Sequence, residues 1–313
     1  MDLLNAVAFP KIHRGPTPPS PDWTFVGIGS GRIARSVACD GTLWTVGFTY
    51  KNSVSNIYTS TAPQTSWSAG ANIGASQSIY ALLYDGTRWL AGTSGSLIYY
   101  GSDPTSSWSS VDSDISGGMR GLTFSGSKWA TVGGGTAQKC STSTSPESTW
   151  TENTSGYDAS VAGFYGIATD GSVWVRVGNS GKLHTASNPS STWTSRTSGF
   201  GSDAIYSISY DGTYWVSAGA NGKLFTATDP TSTWTSRTSG FGSYAIYGVA
   251  NNGGTKWVAV GSGGKLFTAS DPTSTWTEEN SGFGTNAIYG IAHNNSRWVA
   301  VGTGGISTWL DGM

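Results

Sequence analysis

Residues 222–250, GKLFTATDPTSTWTSRTSGFGSYAIYGVA, return almost verbatim at 264–292 as GKLFTASDPTSTWTEENSGFGTNAIYGIA, and a looser copy starts at Gly181. Self-similarity at a period of 20–50 residues marks a repeat architecture, in which each unit buries its apolar face only against its neighbours. Tryptophan carries the period along the whole chain. One series follows a turn such as DGT: Trp44, Trp89, Trp129, Trp174, Trp215, Trp257 and Trp298, spaced 40 to 45 residues apart. A second series ends an xPxxxW turn at Trp67, Trp108, Trp150, Trp193, Trp234 and Trp276, with Trp23 at the matching distance before the first full unit. Only Trp309 of the 15 tryptophans stands outside both series.

Within each unit four short runs are bounded by Gly, Asn, Asp or Pro. In the sixth they are AIYGVA, KWVAVG, KLFTAS and TWTEE, which read as antiparallel strands joined by tight turns. Four strands per repeat and seven repeats predict an all-β, seven-bladed β-propeller over residues 22–313. The recurring tryptophans then pack between blades. Each would bury about 150–250 Å², and replacing one by alanine would cost about 3–5 kcal/mol.

The ends of the repeat predict how the ring closes. DWTFVG, from Asp22, matches the fourth strand of a blade, whereas AIYGIA, RWVAVG and ISTWL supply only three strands at the other end. The N-terminal strand is therefore expected to complete the last blade, a one-plus-three closure that pairs two otherwise exposed edges. Residues 1–21 precede the ring as an arm. Its apolar and basic residues, Leu3, Leu4, Phe9, Lys11 and Arg14, are the candidates for docking onto another protein.

Composition narrows the function. Charged residues make up only 11% of the chain, the net charge is -1, and the 17 basic residues form no patch, which argues against nucleic acid as a partner. No run reaches the 18 apolar residues of a membrane helix, and residues 1–21 lack the features of a secretory signal, so membrane insertion and that export route are not expected. Cys39 and Cys140 are too far apart for a close-spaced metal motif and read as free thiols. His13, His184 and His293 are dispersed, His184 merely standing where Phe225 and Phe267 recur, so no metal or cofactor is expected. The four glutamates, Glu147, Glu152, Glu278 and Glu279, lie in or just after outer turns, with no sign of a paired-carboxylate active site. The chain is expected to be non-enzymatic.

The turns TDPTSTW at Thr228 and SDPTSTW at Ser270 resemble the Asp-box of sialidase-like propellers. Asp103, Asp229 and Asp271 hold the acidic position, Asn188 replaces it in the fourth blade, and Ala62 and Ser145 occupy it in the first and third. The resemblance implies a folding motif on the outside of the ring, whose carboxylate caps its own turn, and carries no chemistry. The Arg-Ile-Pro signature of that family is absent. The near-verbatim Ser/Thr/Gly/Trp-rich repeats also resemble propeller proteins of tailed bacteriophages. That resemblance implies a structural or adhesion component of the particle, a tail protein that displays its propeller to a host-surface glycan. Its partners would be other virion proteins, through the arm, and other copies of the chain. A capsid decoration or head-fibre protein and a free lectin-like propeller are the alternatives.

Binding is expected on the face where fourth-to-first connections such as SGFGSDA meet the second-to-third turns, because loops on one face of a rigid scaffold form recognition surfaces. That face offers Tyr157, Asp158, Phe200, Asp203, Phe241, Tyr244, Phe283 and Asn286, aromatic rings beside amides and carboxylates that suit a sugar. The irregular segments 48–56 and 155–163 are further candidate docking loops.

Overall fold

The computed structural model describes residues 23–28, 31–50, 56–74, 76–115, 117–134, 140–155 and 163–311. The docking-arm candidates Leu3, Leu4, Phe9, Lys11 and Arg14 lie outside them, as do Tyr157 and Asp158 and much of the two irregular loops. The described residues form seven four-stranded antiparallel sheets arranged as a ring, the expected seven-bladed β-propeller. The fifth blade shows the plan. Its strands run Ile205–Tyr210, Trp215–Gly219, Leu224–Ala227 and Thr235–Arg237, from the channel to the rim.

The seventh blade is completed by the first of the described strands. Ile288–Asn294, Arg297–Gly302 and Gly305–Leu310 are joined by Thr24–Gly27, in the register Thr24 opposite Thr308 and Gly27 opposite Gly305. Trp23 packs on Trp309 with ring centres 6.0 Å apart, so the one tryptophan outside both series anchors the closure. Lys256 Nζ lies 3.7 Å from the Trp309 ring centre and adds a cation–π contact from the sixth blade.

Burial explains the repeat. The seven tryptophans of the first series, which open six of the second strands and stand second in the seventh, are at most 6% exposed, and the second strands are buried along nearly their whole length because both faces meet a neighbouring blade. Trp257 and Trp276 of the sixth blade share one cluster with Val216, Ala218 and Leu224 of the fifth, which is the interblade packing the period predicts.

Each turn is tied by a short polar side chain. Asp211 Oδ1 accepts from the backbone N–H of Thr213 and Tyr214, both at 2.7 Å, and Asp40, Asp85 and Asp170 do the same in other blades. In the outer turns Asp229 Oδ1 accepts from Thr231 N at 2.8 Å and Thr231 Oγ1 at 2.7 Å. Asp103 and Asp271 repeat this, and Asn188 accepts from Ser190 N at 3.0 Å. The following tryptophan donates its indole N–H to the proline carbonyl of the same turn, as from Trp193 to Pro189 at 3.2 Å. These aspartates build turns.

Candidate functional site

The first strand of every blade begins with a β-bulge. In the fifth blade Ile205 pairs with Gly219 and Ser207 with Ala218, leaving Tyr206 as the extra residue. The same register shift singles out Arg35, Tyr80, Arg120, Tyr165, Tyr247 and Tyr289 in the other six blades. A bulge bends the strand locally and re-aims the side chain of the added residue. Here all seven side chains converge on the axis, where they line a cavity of about 370 Å³ at one end of the central channel. Glycine makes room for this bend in five blades. At Gly219 an added Cβ would stand 2.1 Å from the Ala204 carbonyl oxygen, and at Gly261 2.0 Å from that of Ala245.

The seven side chains form a connected collar. Ring centres are 5.4 Å apart for Tyr165 and Tyr206, 5.4 Å for Tyr206 and Tyr247, and 5.3 Å for Tyr247 and Tyr289. Arg35 continues it over Tyr289 at 4.1 Å, and Arg120 bridges Tyr80 at 5.0 Å and Tyr165 at 5.5 Å. Below the collar come small residues, Gly166, Ser207, Gly248 and Gly290 among them, which let adjacent inner strands approach closely. Then comes a waist of branched aliphatic side chains, including Ile167, Ile208, Val249 and Ile291, and the lining of the upper cavity ends there.

The electrostatics of the collar keep Tyr206 and Tyr247 protonated. Burial pushes the Tyr206 hydroxyl above its ordinary pKa, and the neighbouring Tyr165, Tyr247 and Asp203 push it the same way. Burial also raises Tyr247, helped by Tyr289 and opposed by Arg35. Both remain neutral phenols, able to donate and accept hydrogen bonds. Tyr165 Oη already donates to Asn179 Oδ1 at 2.9 Å. Neither Arg35 nor Arg120 has a carboxylate within ion-pair distance among the described residues, and no group of three His, Cys, Asp or Glu there could hold a metal ion.

The loops expected to bind surround this collar, because the fourth-to-first connections deliver the chain into the inner strands. Ser198 Oγ donates to the Gly181 carbonyl at 2.6 Å and Lys223 Nζ to the Phe200 carbonyl at 2.9 Å, which ties these connections to the second-to-third turns. Within them Phe200, Phe241 and Phe283 are 0%, 1% and 2% exposed, so their expected role as ligand-facing rings is corrected to packing. Phe200 lies 4.8 Å from Phe225, Phe241 4.7 Å from Phe267, and Phe283 meets Phe25 edge-on at 5.0 Å. Asp203 is held by Lys223 at 2.8 Å and by Asn221 at 3.0 Å, and these partners keep its carboxyl below its ordinary pKa. Tyr244 is 46% exposed, with Lys265 Nζ 5.7 Å from its ring centre, and Asn286 is exposed. These three remain on the rim.

Sequence reading missed the collar because Tyr in AIY looked like one more alternating strand residue. The signal was present: five blades place Tyr directly after the apolar residue that opens the inner strand, and the first and third place Arg there.

No family model matches the chain, and no curated protein matches it. Solved structures do. YCF48 from Cyanidioschyzon merolae superposes with a TM-score of 0.71 at 14% identity, over 92% of this chain and 98% of that one. A chain of the Mitotic Checkpoint Complex gives 0.72 at 12% identity, over 97% and 99%. The computationally designed Ika8 protein gives 0.65 at 11% identity, over 92% and 98%. At these identities the likeness is one of fold, and it places the chain among seven-bladed β-propellers.

Proposed function

We propose that this protein is a non-enzymatic recognition propeller, displayed on a bacteriophage particle, that binds a host-surface glycan at the collar of the central channel. The observation that carries the recognition role is the collar itself, seven re-aimed side chains that combine aromatic faces, phenol hydroxyls and two guanidinium groups free of carboxylate partners among the described residues. Concave sites lined by aromatic groups with a few convergent polar ones are where small ligands bind. The two collar tyrosines with perturbed acidity, Tyr206 and Tyr247, are shifted away from ionisation, which suits hydrogen bonding and not nucleophilic attack.

The phage setting rests on the resemblance of the near-verbatim repeats, and residues 1–21 are the segment assigned to attachment on the particle. A second solved YCF48 structure, with a D1 peptide bound, has the same fold at a TM-score of 0.71 and 13% identity, an example of a propeller of this shape acting as a docking platform.

The test is a glycan array probed with the full chain and with Tyr206→Ala and Tyr247→Ala variants. Specific binding that both variants lose supports the reading. Absence of any glycan bound, or binding that survives both substitutions, overturns it.

A further inference from the structure

We infer that the collar selects a negatively charged saccharide, with carboxylates held on the side of Arg35 and Arg120 and a sugar ring against the tyrosine arc. This rests on the recognition role proposed above and adds the chemistry of the ligand.

The collar is not symmetric. Both arginines lie within the first three blades, flanking Tyr80, whereas the remaining four blades contribute an unbroken arc of tyrosines. One side of the mouth is therefore cationic and the other aromatic and uncharged. Each guanidinium is already placed by stacking on a tyrosine face, Arg35 on Tyr289 and Arg120 between Tyr80 and Tyr165. Stacking occupies the flat face of the guanidinium and leaves its terminal N–H groups for the hydrogen bonds that a carboxylate accepts.

Nothing described within the channel competes for that charge. Asp203, on the rim, is held by Lys223 at 2.8 Å. Two uncompensated cations inside a walled funnel draw an anion more strongly than the same pair on open surface. The aromatic half offers faces for the C–H groups of a pyranose and hydroxyls for its edge. Below it the channel is lined by branched aliphatic side chains, so the polar contacts of a bound sugar are concentrated at the collar.

The experiment compares an oligogalacturonate with its carboxyl-reduced, neutral counterpart by calorimetry on the full chain, on Arg35→Gln/Arg120→Gln and on Tyr247→Ala, with near-ultraviolet circular dichroism as the check of fold. The expected result is binding of the acidic sugar at least about tenfold tighter than of the reduced one, weakening as salt rises, and lost in both variants. Equal affinity for the two sugars, abolished by Tyr247→Ala, overturns the anionic preference and leaves the collar as a glycan site. Acidic binding that neither variant reduces overturns both. No binding of the acidic sugar, or binding of an acidic peptide in its place, also overturns the inference.

Discussion

The guanidinium carbon of Arg35, in the first blade, lies 4.1 Å from the ring centre of Tyr289, in the seventh, across the seam where the propeller closes. The same seam holds the strand pairing of Thr24–Gly27 with the last blade and an isolated bridge between Ile33 and Thr303. Closure of the ring and shape of the mouth are thus coupled: the collar is continuous at this point only while the seam is shut.

Closure makes a direct prediction about stability. Trp23 is 5% exposed and packed on Trp309. Trp23→Ala removes a large buried ring and leaves a cavity, so it should cost about 3–5 kcal/mol in chemical denaturation. Deleting residues 1–28 removes a whole strand and should lower the melting temperature sharply or give insoluble protein. Unchanged melting of the truncated chain would contradict the closure.

Stability should also fall in mildly acidic solution because of His293. It stacks on Trp298 at 4.6 Å and approaches Asp311 at 3.1 Å, yet burial outweighs that carboxylate and holds its pKa below the ordinary 6.5. The unfolded chain then binds a proton more readily than the folded one. Stability is fully present above the unfolded pKa and drops as pH falls from there toward the folded pKa. Titrating the unfolding midpoint between neutral and mildly acidic pH should show this decline, and His293→Tyr, which copies Tyr210 of the fifth blade, should flatten it. The depressed acids Asp85, Asp203 and Asp229 act in the same direction but at lower pH.

The two thiols should react differently. Cys140 is fully buried and its pKa is pushed up to about 12, while Cys39 is partly accessible, though also raised by burial. At neutral pH a disulfide reagent should label one thiol per native chain, slowly, and two after denaturation. Rapid native labelling of Cys140 would contradict its placement.

Arg176 is a buried departure from the repeat. It is 0% exposed and clamped between Phe164 at 4.2 Å and Trp193 at 4.4 Å. One terminal nitrogen contacts Ser155 O at 3.2 Å and His184 Nδ1 at 3.1 Å, while Nε and the other terminal nitrogen have no hydrogen-bond partner among the described residues. Burial lowers its pKa to about 10. Rewriting the position in the pattern of the fifth blade, Arg176→Ser with His184→Phe, removes a poorly satisfied buried cation and should stabilise the protein by about 1–2 kcal/mol in denaturant titration.

Much of this fold could be read from the chain because its determinants are local and repeated. A tryptophan at a fixed place after a turn, an aspartate that caps its own loop and a glycine where the backbone turns back each identify a blade position without knowledge of the ring. The collar was not legible in that way. Whether Tyr206 faces a neighbouring blade or the axis depends on a one-residue bulge, and the room for it beneath the Ala204 carbonyl is left by Gly219, a relation between separate strands. The phenylalanines of the SGFG loops recur because they pack, and Phe200, Phe241 and Phe283 are all buried, which leaves Asp203, Tyr244 and Asn286 as the candidates of these loops on the rim. Arg35 and Arg120 stand at a position otherwise held by Tyr, a departure whose meaning appears only once the bulge turns that position to the axis.

The central claim is that ligand recognition happens at the collar, and tyrosine ring resonances report on it directly. In protein with labelled tyrosine side chains, addition of an oligogalacturonate should shift Tyr80, Tyr165, Tyr206, Tyr247 and Tyr289 together and leave the exposed Tyr244 on the rim nearly unmoved. Shifts confined to Tyr244 and the outer turns, with the five channel tyrosines unchanged at saturation, would contradict it.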